Sequence, residues 1–240
     1  MSGHEDLKAA IERLAGERRP DLRSAREAVE RLLDLLEEGR VRAATPDGSG
    51  GWTVHPWVKK GLLLAFRVSK DLRYPPAGPL GSRDKDLLPP RGIGTMPGVR
   101  LVPGGSAVRR GAHVGPGTVL MPPCYVNTGA YVGRGAMIDS HALVGSCAQI
   151  GDRVHLAAGA QIGGVLEPPG AAPVIVEEDC FVGALAGLFE GVRVRRGAVI
   201  GAGVVLTAST PLYDLGEERI LRAGSDGVLS VPERAVVVAA

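Results

Sequence analysis

The segment that decides the fold runs from Val126 to Ile150 and reads VNTGAYVGRGAMIDSHALVGSCAQI. An aliphatic residue returns at every sixth position of this segment: Val126, Val132, Ile138, Val144 and Ile150. A period of six matches neither the 3.6-residue turn of an α-helix nor the two-residue alternation of a simple strand. The spacing therefore indicates a short strand, a turn and a new direction every six residues.

The same spacing extends over most of the second half of the chain. The aliphatic positions are Val108, Val114, Leu120, Val126, Val132, Ile138, Val144, Ile150, Leu156 and Ile162, and then Val176, Val182, Leu188, Val194, Ile200 and Leu206. The residue four places after each of these is usually small, and the residue directly after is often glycine, which is expected to relieve the backbone at the corners. Three strands per turn give a coil of about 18 residues with aliphatic ladders inside. The sequence predicts a parallel β-helix.

Helical patterns occupy the first part of the chain. Leu7, Ile11 and Leu14 form one helical stripe that ends at Gly16. A second helix is predicted from about Asp21 with Gly39 as its C-terminal glycine, and a third helix begins at Pro56, where proline is tolerated. These patterns predict an N-terminal α-helical domain.

Two segments near these helices give weaker patterns. Residues 40–44 alternate enough to predict a short strand, and residues 75–98, which are rich in proline and glycine, are expected to form an irregular connector. The sequence thus divides into a helical domain with its connector at residues 1–98 and a β-helix at residues 99–240. The hexads break between Ile162 and Val176, which predicts an extruded loop at 163–175 that forms a binding face.

Composition restricts the function. The formal net charge is only +2, whereas nucleic-acid-binding proteins usually carry a larger basic excess. Cys124, Cys147 and Cys180 form no C-x-x-C pair and are read as buried residues of a reducing compartment. The N-terminus is polar and no apolar run reaches the roughly 20 residues of a membrane span. We expect a cytoplasmic protein that binds neither nucleic acid nor a membrane.

Several short sequence segments resemble those of the tetrahydrodipicolinate N-succinyltransferase family. The matching segments are GSCAQIG at 145–151, QIGGVLEP at 161–168, DCFVGA at 179–184, YVNTGAYV at 125–132 and WTVHPWVKK at 52–60. The resemblance implies a left-handed β-helix that works as a homotrimer with active sites between subunits. It also implies transfer of a succinyl group from succinyl-CoA to the amine of an amino dicarboxylate in lysine and diaminopimelate biosynthesis, without a permanently bound cofactor or metal.

The resemblance also points to site residues. Asp139 corresponds to a family aspartate that contacts the amine, and Arg100 to an arginine that binds a substrate carboxylate. Asp139 would otherwise be a corner residue that satisfies its own turn. The acyl-CoA is expected along the outside of the later coils. Its binding residues are expected to be Gly163, Gly164, Gly183, Ala184, Gly201 and Ala202. Arg193, Arg195 and Arg196 are either phosphate ligands or a solvated charge run, and we favour the charge run.

Two departures from the family pattern affect the chemistry. Gly187 occupies the position of a family glutamate that acts in catalysis, and Glu190 matches a different family glutamate. Loss of an acid/base group typically lowers a rate by about 10²–10⁴. His141 stands two residues after Asp139, where the family usually has tryptophan, and is a candidate substitute base or a surface histidine.

Alternatives to this activity remain open. The chain is read as a tetrahydrodipicolinate N-succinyltransferase with an altered site, as an N-acyltransferase of another amino acid that uses acetyl-CoA or succinyl-CoA, or as a non-catalytic relative. A β-helix carbonic anhydrase would need three histidines around one zinc ion. Spacings of 28 and 14 residues between His113, His141 and His155 do not fit a coil of about 18 residues, which argues against that class.

Overall fold

The N-terminal region contains three helices, as the sequence predicts. The computed structural model describes residues 4–74 and 81–239. The helices are α1 (Glu5–Gly16), α2 (Leu22–Glu37) and α3 (Pro56–Val68). The Asp21 carboxylate accepts a hydrogen bond from the Ser24 amide at 2.9 Å and caps α2. Gly39 follows α2 with a φ of +71°, a left-handed conformation that glycine adopts at low cost.

Short hairpins accompany the helices and correct two predictions. The strand predicted at residues 40–44 is wrong, because β1 (Ala44–Pro46) begins at the last of these residues and pairs with β2 (Trp52–Val54). The predicted connector is partly regular, since β3 (Asp71–Tyr74) pairs antiparallel with β4 (Ser82–Lys85) and Ile93–Thr95 forms a 3-10 turn. Residues 75–80 of that connector lie outside the described residues.

The second half of the chain is a three-sided parallel β-helix, which confirms the predicted fold class. Sheet I contains β5 (Arg100–Leu101), β8 (Val119–Leu120), β11 (Met137–Ile138), β14 (His155–Leu156), β17 (Phe181–Val182), β20 (Val199–Ile200) and β25 (Val236–Val237). Sheet II contains β6 (Ala107–Val108), β9 (Tyr125–Val126), β12 (Leu143–Val144), β15 (Gln161–Ile162), β18 (Gly187–Leu188) and β21 (Val205–Leu206). Sheet III contains β7 (His113–Val114), β10 (Tyr131–Val132), β13 (Gln149–Ile150), β16 (Ile175–Val176), β19 (Arg193–Val194) and β24 (Ser230–Val231).

The predicted aliphatic positions form the core of the coil. Each is the second residue of its strand, and all are buried. Each buried aliphatic side chain of this size contributes about 1.5–3 kcal/mol relative to an exposed one. The helices have a separate apolar core, which includes Leu32 and Leu62 and is joined by Cys147 of the coil.

Glycines play two different roles in the coil, and this corrects the sequence interpretation. A Cβ added to Gly115, directly after its strand, would lie 2.7 Å from the Arg134 amide nitrogen of the next coil. Glycine there permits close stacking of coils. The left-handed corner conformation falls two residues later, and it includes residues other than glycine, such as His141 (φ +62°) and Cys147 (φ +66°).

Two excursions leave the coil at the edge between sheets II and III. The first lies between Ile162 and Ile175, and the second, between Leu206 and Ser230, contains the hairpin of β22 (Leu212–Asp214) and β23 (Arg219–Leu221). Strand pairing resumes in register after both, with Ile150 opposite Val176 and Val194 opposite Val231. The coil therefore keeps its geometry despite the extra residues.

The N-terminal region packs on sheet III. The Arg42 guanidinium donates to the Gln149 side-chain oxygen at 2.8 Å and lies 3.7 Å from the centre of the Tyr131 ring. The Arg193 guanidinium donates to the Gly50 carbonyl at 2.7 Å. These contacts cover outer side chains of sheet III. A site for small molecules is therefore expected on the outer surface of sheets I and II.

Candidate active site

Asp139 pairs with a histidine of the next coil. Met137 of β11 lies opposite His155 of β14, and Asp139 follows β11 directly. This register brings His155 Nε2 to 2.9 Å from Asp139 Oδ2. Both side chains are partly exposed, at 40% for His155 and 29% for Asp139. Sequence reasoning missed this contact, although Met137 and His155 are one coil apart and that spacing could have revealed it.

The carboxylate fixes the hydrogen position on the His155 ring. An ionised carboxylate only accepts hydrogen bonds, so Nε2 of a neutral His155 carries the hydrogen and Nδ1 has the lone pair. Within residues 4–74 and 81–239, no protein group hydrogen-bonds to Nδ1. The Phe181 ring packs edge-on against the imidazole at 5.0 Å between centroids. His155 is thus held on two sides and has a free acceptor nitrogen.

His141 occupies a corner rather than the Asp139–His155 pair. Its backbone has a φ of +62°, and its carbonyl accepts from the Gln161 side-chain amide at 3.1 Å. The side chain is exposed. Among the described residues, no hydrogen bond joins the His141 ring to Asp139. The predicted role of His141 as a substitute base stays a prediction.

The residues predicted to bind acyl-CoA fall on two edges. Asp139, Gly183 and Gly201 follow β11, β17 and β20, so they form one column along the edge between sheets I and II. Ala184 and Ala202 lie one residue further along the same edge. In the described part of the chain, the amides of Ser140, Ala158, Ala184 and Ala202 donate no hydrogen bond within the protein. This column, the I–II edge, therefore presents unused donors.

Gly163 and Gly164 lie on the other edge, between sheets II and III. They begin the first excursion, which Lys59 of α3 holds through a 2.6 Å bond from Nζ to the Ala171 carbonyl. Lys59 is fully buried, and burial lowers the pKa of its ammonium group. The structure does not bring Gly163 and Gly164 onto the I–II edge of the same chain.

Arg100 shares sheet I with the Asp139–His155 pair. It is exposed and begins β5, which pairs with β8, and β8 in turn pairs with β11. Two inter-strand steps of 4.7–4.9 Å place its backbone about 10 Å from that of β11. A flexible arginine side chain can cover part of that distance, so Arg100 and Asp139 can contact opposite ends of one small molecule.

A separate cavity of about 680 Å³ lies between the end of α2 and the first coils. Glu37, Arg91 and His113 line it, and neither Asp139 nor His155 does. We favour the I–II edge as the active site, because it combines a carboxylate–imidazole pair with unused backbone donors. The described residues contain no cluster of three His, Cys, Asp or Glu side chains placed to hold a metal ion. They also contain no helix with the length and apolar character to span a membrane.

Comparisons with known proteins identify the family. Residues 6–68 match the model of the tetrahydrodipicolinate N-succinyltransferase N-terminal domain, and residues 173–208 match the hexapeptide repeat of succinyl-transferase. The chain is 49% identical over 225 residues to 2,3,4,5-tetrahydropyridine-2,6-dicarboxylate N-succinyltransferase of Rhodopseudomonas palustris (strain TIE-1), covering 89% of this chain and 75% of that protein. The chain belongs to the tetrahydrodipicolinate N-succinyltransferase family.

Other members show the same relationship. The Nitrobacter hamburgensis protein of the same name is 48% identical over 225 residues, with 89% of this chain and 75% of that protein covered. A solved structure from Campylobacter jejuni, described as a 2,3,4,5-tetrahydropyridine-2-carboxylate N-succinyltransferase, aligns with a TM-score of 0.50 at 16% identity. The alignment covers 85% of this chain and 58% of that one, and it supports the fold alone.

An aromatic ring covers Gly187, the residue that the sequence resemblance places at a family glutamate. A Cβ added to Gly187 would lie 2.6 Å from Cε2 of Phe189, and one added to Gly163 would lie 2.7 Å from Cδ1 of the same ring. The Phe189 ring thus covers Gly187 of sheet II and reaches Gly163 at the edge between sheets II and III. Glu190 accepts a hydrogen bond from the Ala208 amide at 3.2 Å, on the excursion side of the coil. A side chain at position 187 would have to displace the Phe189 ring.

The arginines near the end of the repeats are already paired. Arg193 bonds to Glu177, Arg195 lies 3.1 Å from Glu233, and Arg196 contacts Glu178. Trp52 also donates to Glu177 at 3.0 Å. Arg193 and Glu177 are largely buried, so Arg193 does not belong to the solvated charge run that the sequence favoured, whereas Arg195 and Arg196 are more exposed. These contacts give no sign of a preformed phosphate site in this member of the family.

Proposed function

We propose that the chain is a CoA-dependent N-acyltransferase that transfers the succinyl group of succinyl-CoA to the amine of tetrahydrodipicolinate or a close amino dicarboxylate. The observation that carries the proposal is the Asp139–His155 pair on the I–II edge of a chain that belongs to this family. An amine attacks a thioester only when it is unprotonated, so the reaction needs a proton acceptor at the nitrogen. The pair supplies one.

The I–II edge offers groups for the acyl donor. A developing negative charge on the thioester oxygen requires hydrogen-bond donors. The unused amides of Ala184 and Ala202 lie one and two coils beyond His155 on the same side. Gly183 and Gly201 follow their strands directly, where a Cβ would meet the next coil at 2.5 and 3.0 Å, so they remain proposed acyl-CoA contacts through their backbone alone. Gly163 and Gly164 remain proposed acyl-CoA contacts, and their position on the other edge is explained if a neighbouring subunit supplies them.

Arg100 is the proposed carboxylate ligand. A guanidinium group binds a carboxylate through two parallel hydrogen bonds. Its position on sheet I, about two strands from Asp139, suits an acceptor with an amine at one end and a carboxylate at the other. This geometry favours an amino dicarboxylate over a simple amine.

The proposed assembly is a homotrimer. Outer positions of sheets I and II carry exposed apolar side chains, among them Tyr125, Phe181, Val205 and Val236. Large exposed apolar patches commonly mark protein–protein contacts. Sheet III is occupied by the N-terminal region, which leaves two sides of the triangular coil for neighbours. The proposed compartment is the cytoplasm, because acyl-CoA donors are made and used there.

Gly187 supports a second candidate, an N-acyltransferase with another amino-acid acceptor or with acetyl-CoA. The missing carboxylate and the Phe189 ring change the surface of sheet II next to the I–II edge. An altered pocket wall would change which acceptor or acyl group fits. A non-catalytic relative remains the third alternative.

A thiol-release assay tests the proposal. The purified chain is incubated with succinyl-CoA or acetyl-CoA and with each of several amino dicarboxylates, tetrahydrodipicolinate included, while free CoA thiol is followed. Fastest release with succinyl-CoA and tetrahydrodipicolinate supports the first candidate. Faster release with another pair supports the second, and no release with any pair contradicts both enzyme functions.

A further inference from the structure

A buried lysine holds the far end of the first excursion. Lys59 of α3 is fully buried, and its Nζ atom donates to the Ala171 carbonyl at 2.6 Å. Within the described residues this is the one hydrogen bond of an ammonium group that has three hydrogens. An apolar side chain would pack at this position at lower cost, because burial of a charge is expensive. Helix packing therefore does not explain a lysine here, whereas the bond to the excursion does.

The excursion is attached to the rest of the chain near both of its ends. Near its start, the Val165 amide donates to the Ser146 carbonyl at 3.2 Å. Near its end, Lys59 holds the Ala171 carbonyl. Residues 167–170, which we call the tip, lie between these attachments and are mostly exposed. The two attachments therefore decide where the tip lies.

The coil also contacts the far end of the excursion. A Cβ added to Gly191 would lie 2.8 Å from the Ala172 carbonyl oxygen and 3.3 Å from the Ala172 Cβ. Residues 171 and 172 are thus held by a lysine of the helical region and by a close backbone contact with the coil. An end that is held by both regions of the molecule leaves the tip little freedom.

We propose that Lys59 is a positioning residue for the acyl donor, because it fixes the tip of the excursion that carries Gly163 and Gly164. The inference rests on the proposed function, in which these two glycines contact acyl-CoA. A segment that is ordered before the donor arrives removes the cost of ordering it on binding. Lys59 therefore acts on the affinity for the donor, without contact to either substrate and without a part in the chemical step.

The kinetic test compares Lys59→Met with Lys60→Met. Methionine keeps an unbranched apolar side chain and removes the ammonium donor. Lys59→Met should raise the KM and the dissociation constant for succinyl-CoA by about 3–30-fold, because only molecules with the tip in place bind the donor. Both kcat and the KM for the acceptor should stay within about twofold, and a loss confined to kcat would overturn the inference.

Lys60 is the matched control. It is the next residue of α3, is only partly buried, and makes no side-chain hydrogen bond among the residues that the structure describes. Lys60→Met removes the same charge from the same helix and should leave the KM for succinyl-CoA unchanged. An equal rise in both variants would assign the effect to helix charge and would overturn the inference.

Hydrogen exchange separates positioning of the tip from general support of the fold. The Ala171 amide donates to the Pro168 carbonyl at 3.0 Å and should exchange at least about 5-fold faster in Lys59→Met, because its neighbouring attachment is lost. Amides of α3 and of the coil should keep their wild-type rates. If the amides of α3 exchange faster to the same extent, Lys59 is a structural residue and the inference is overturned.

A variant on the coil carries the test if Lys59→Met does not fold. Gly191→Ala should push on the Ala172 carbonyl and raise the KM for succinyl-CoA, while the KM for the acceptor stays within about twofold. Gly197→Ala is its control, since Gly197 has a similar left-handed φ of +66° but a Cβ there would lie 3.4 Å from the flexible Arg234 side chain. Equal KM values in the two variants would overturn the inference.

Donor binding by the wild-type chain distinguishes this inference from the proposed function. Calorimetry measures the dissociation constants of succinyl-CoA and acetyl-CoA for each variant. If the wild-type chain binds neither and releases no CoA, the proposed function fails and the role of Lys59 fails with it. If the wild-type chain binds succinyl-CoA and Lys59→Met binds it equally well, the proposed function stands and the inference alone is overturned.

Discussion

Sheet III and the I–II edge are built from the same hexads but differ in what their outer residues contact. On sheet III, Tyr131, Gln149 and Arg193 contact residues of the N-terminal region. On the I–II edge, His155 and Asp139 contact each other and stay partly exposed. Inner positions of both are equivalent aliphatic ladders. The repeat therefore fixes the scaffold, while the outer residues divide it into a side that stabilises the chain and an edge that can bind small molecules.

The largest effect that separates the two regions is expected at Arg100. Arg100→Ala should raise the KM for the acceptor by about 10–100-fold, since a charged hydrogen bond typically contributes about 1.5–3 kcal/mol. The free energy of unfolding should stay within about 0.5 kcal/mol, because the side chain is exposed. Steady-state kinetics and urea denaturation measure the two quantities. Arg100→Lys should recover only part of the affinity, since lysine lacks the planar fork.

A change of KM for succinyl-CoA instead of the acceptor would contradict this placement. It would assign Arg100 to the acyl donor. The comparison with Arg100→Lys then shows whether charge alone or the two-bond geometry matters.

The opposite result is expected on sheet III. Arg42→Met should lower the free energy of unfolding by about 2–3 kcal/mol, because it leaves the oxygen of the fully buried Gln149 without its donor. The turnover number should stay within about twofold. Denaturant unfolding and the thiol-release assay provide the measurements.

The double variant Arg42→Met with Gln149→Leu tests the cause. Replacing both polar partners by apolar groups should cost less than the sum of the two single changes, although Gln149→Leu also removes the donor of the Cys147 carbonyl at 2.9 Å in either background. Losses that simply add would show that Arg42 stabilises the protein through its contact with the Tyr131 ring rather than through Gln149.

A smaller effect is expected where sheet II approaches the I–II edge. Gly187→Glu should destabilise the chain by about 1–3 kcal/mol, because a Cβ there lies 2.6 Å from the Phe189 ring. The cost should fall when Phe189→Ala is already present. A double-mutant cycle of unfolding free energies measures this coupling, and equal costs in both backgrounds would show that the ring does not fill the position.

The smallest effect concerns the buried thiol where the helices meet the coil. Burial raises the pKa of Cys147 to about 12. The folded state therefore keeps this proton at pH values where the unfolded chain, with a thiol pKa near 9, loses it. Stability from this group is complete below about pH 9 and falls above it, by at most about 1.4 kcal/mol per pH unit. Cys147→Ala should flatten the dependence of unfolding free energy on pH between about 9 and 10.5, and an unchanged slope would contradict the assignment.

Much of the scaffold follows from the sequence, because each hexad reports a local preference. Helix ends are also local features, and they were predicted from Pro56, Asp21 and Gly39. The hairpin of β3 and β4 was missed, since its pairing joins residues across a proline- and glycine-rich segment without a period. The contact between Arg42 and Tyr131 could not be predicted from the sequence either, because no local pattern specifies which side of the coil the helices cover.

The candidate site was only partly predictable. Asp139 and Arg100 were predicted from segments that resemble the family, and their roles stay predictions. The coil spacing would have placed His155 opposite Met137 and so next to Asp139. His141 was predicted because it lies two residues after Asp139 in the sequence. In a coil, however, contacts between outer side chains follow the stacking direction, and residues one full turn apart are nearer neighbours than residues around a corner.

The two excursions have a consequence for how the chain can be altered. Both leave between sheets II and III, and the ladders resume in register after them. Chain length at this edge is therefore uncoupled from the architecture of the solenoid. A peptide tag or a small domain inserted between Leu206 and Leu212 should be tolerated, whereas one extra residue inside a strand would shift every later inner residue outward. The II–III edge is a natural position for grafting a reporter without disturbing the turns above and below it.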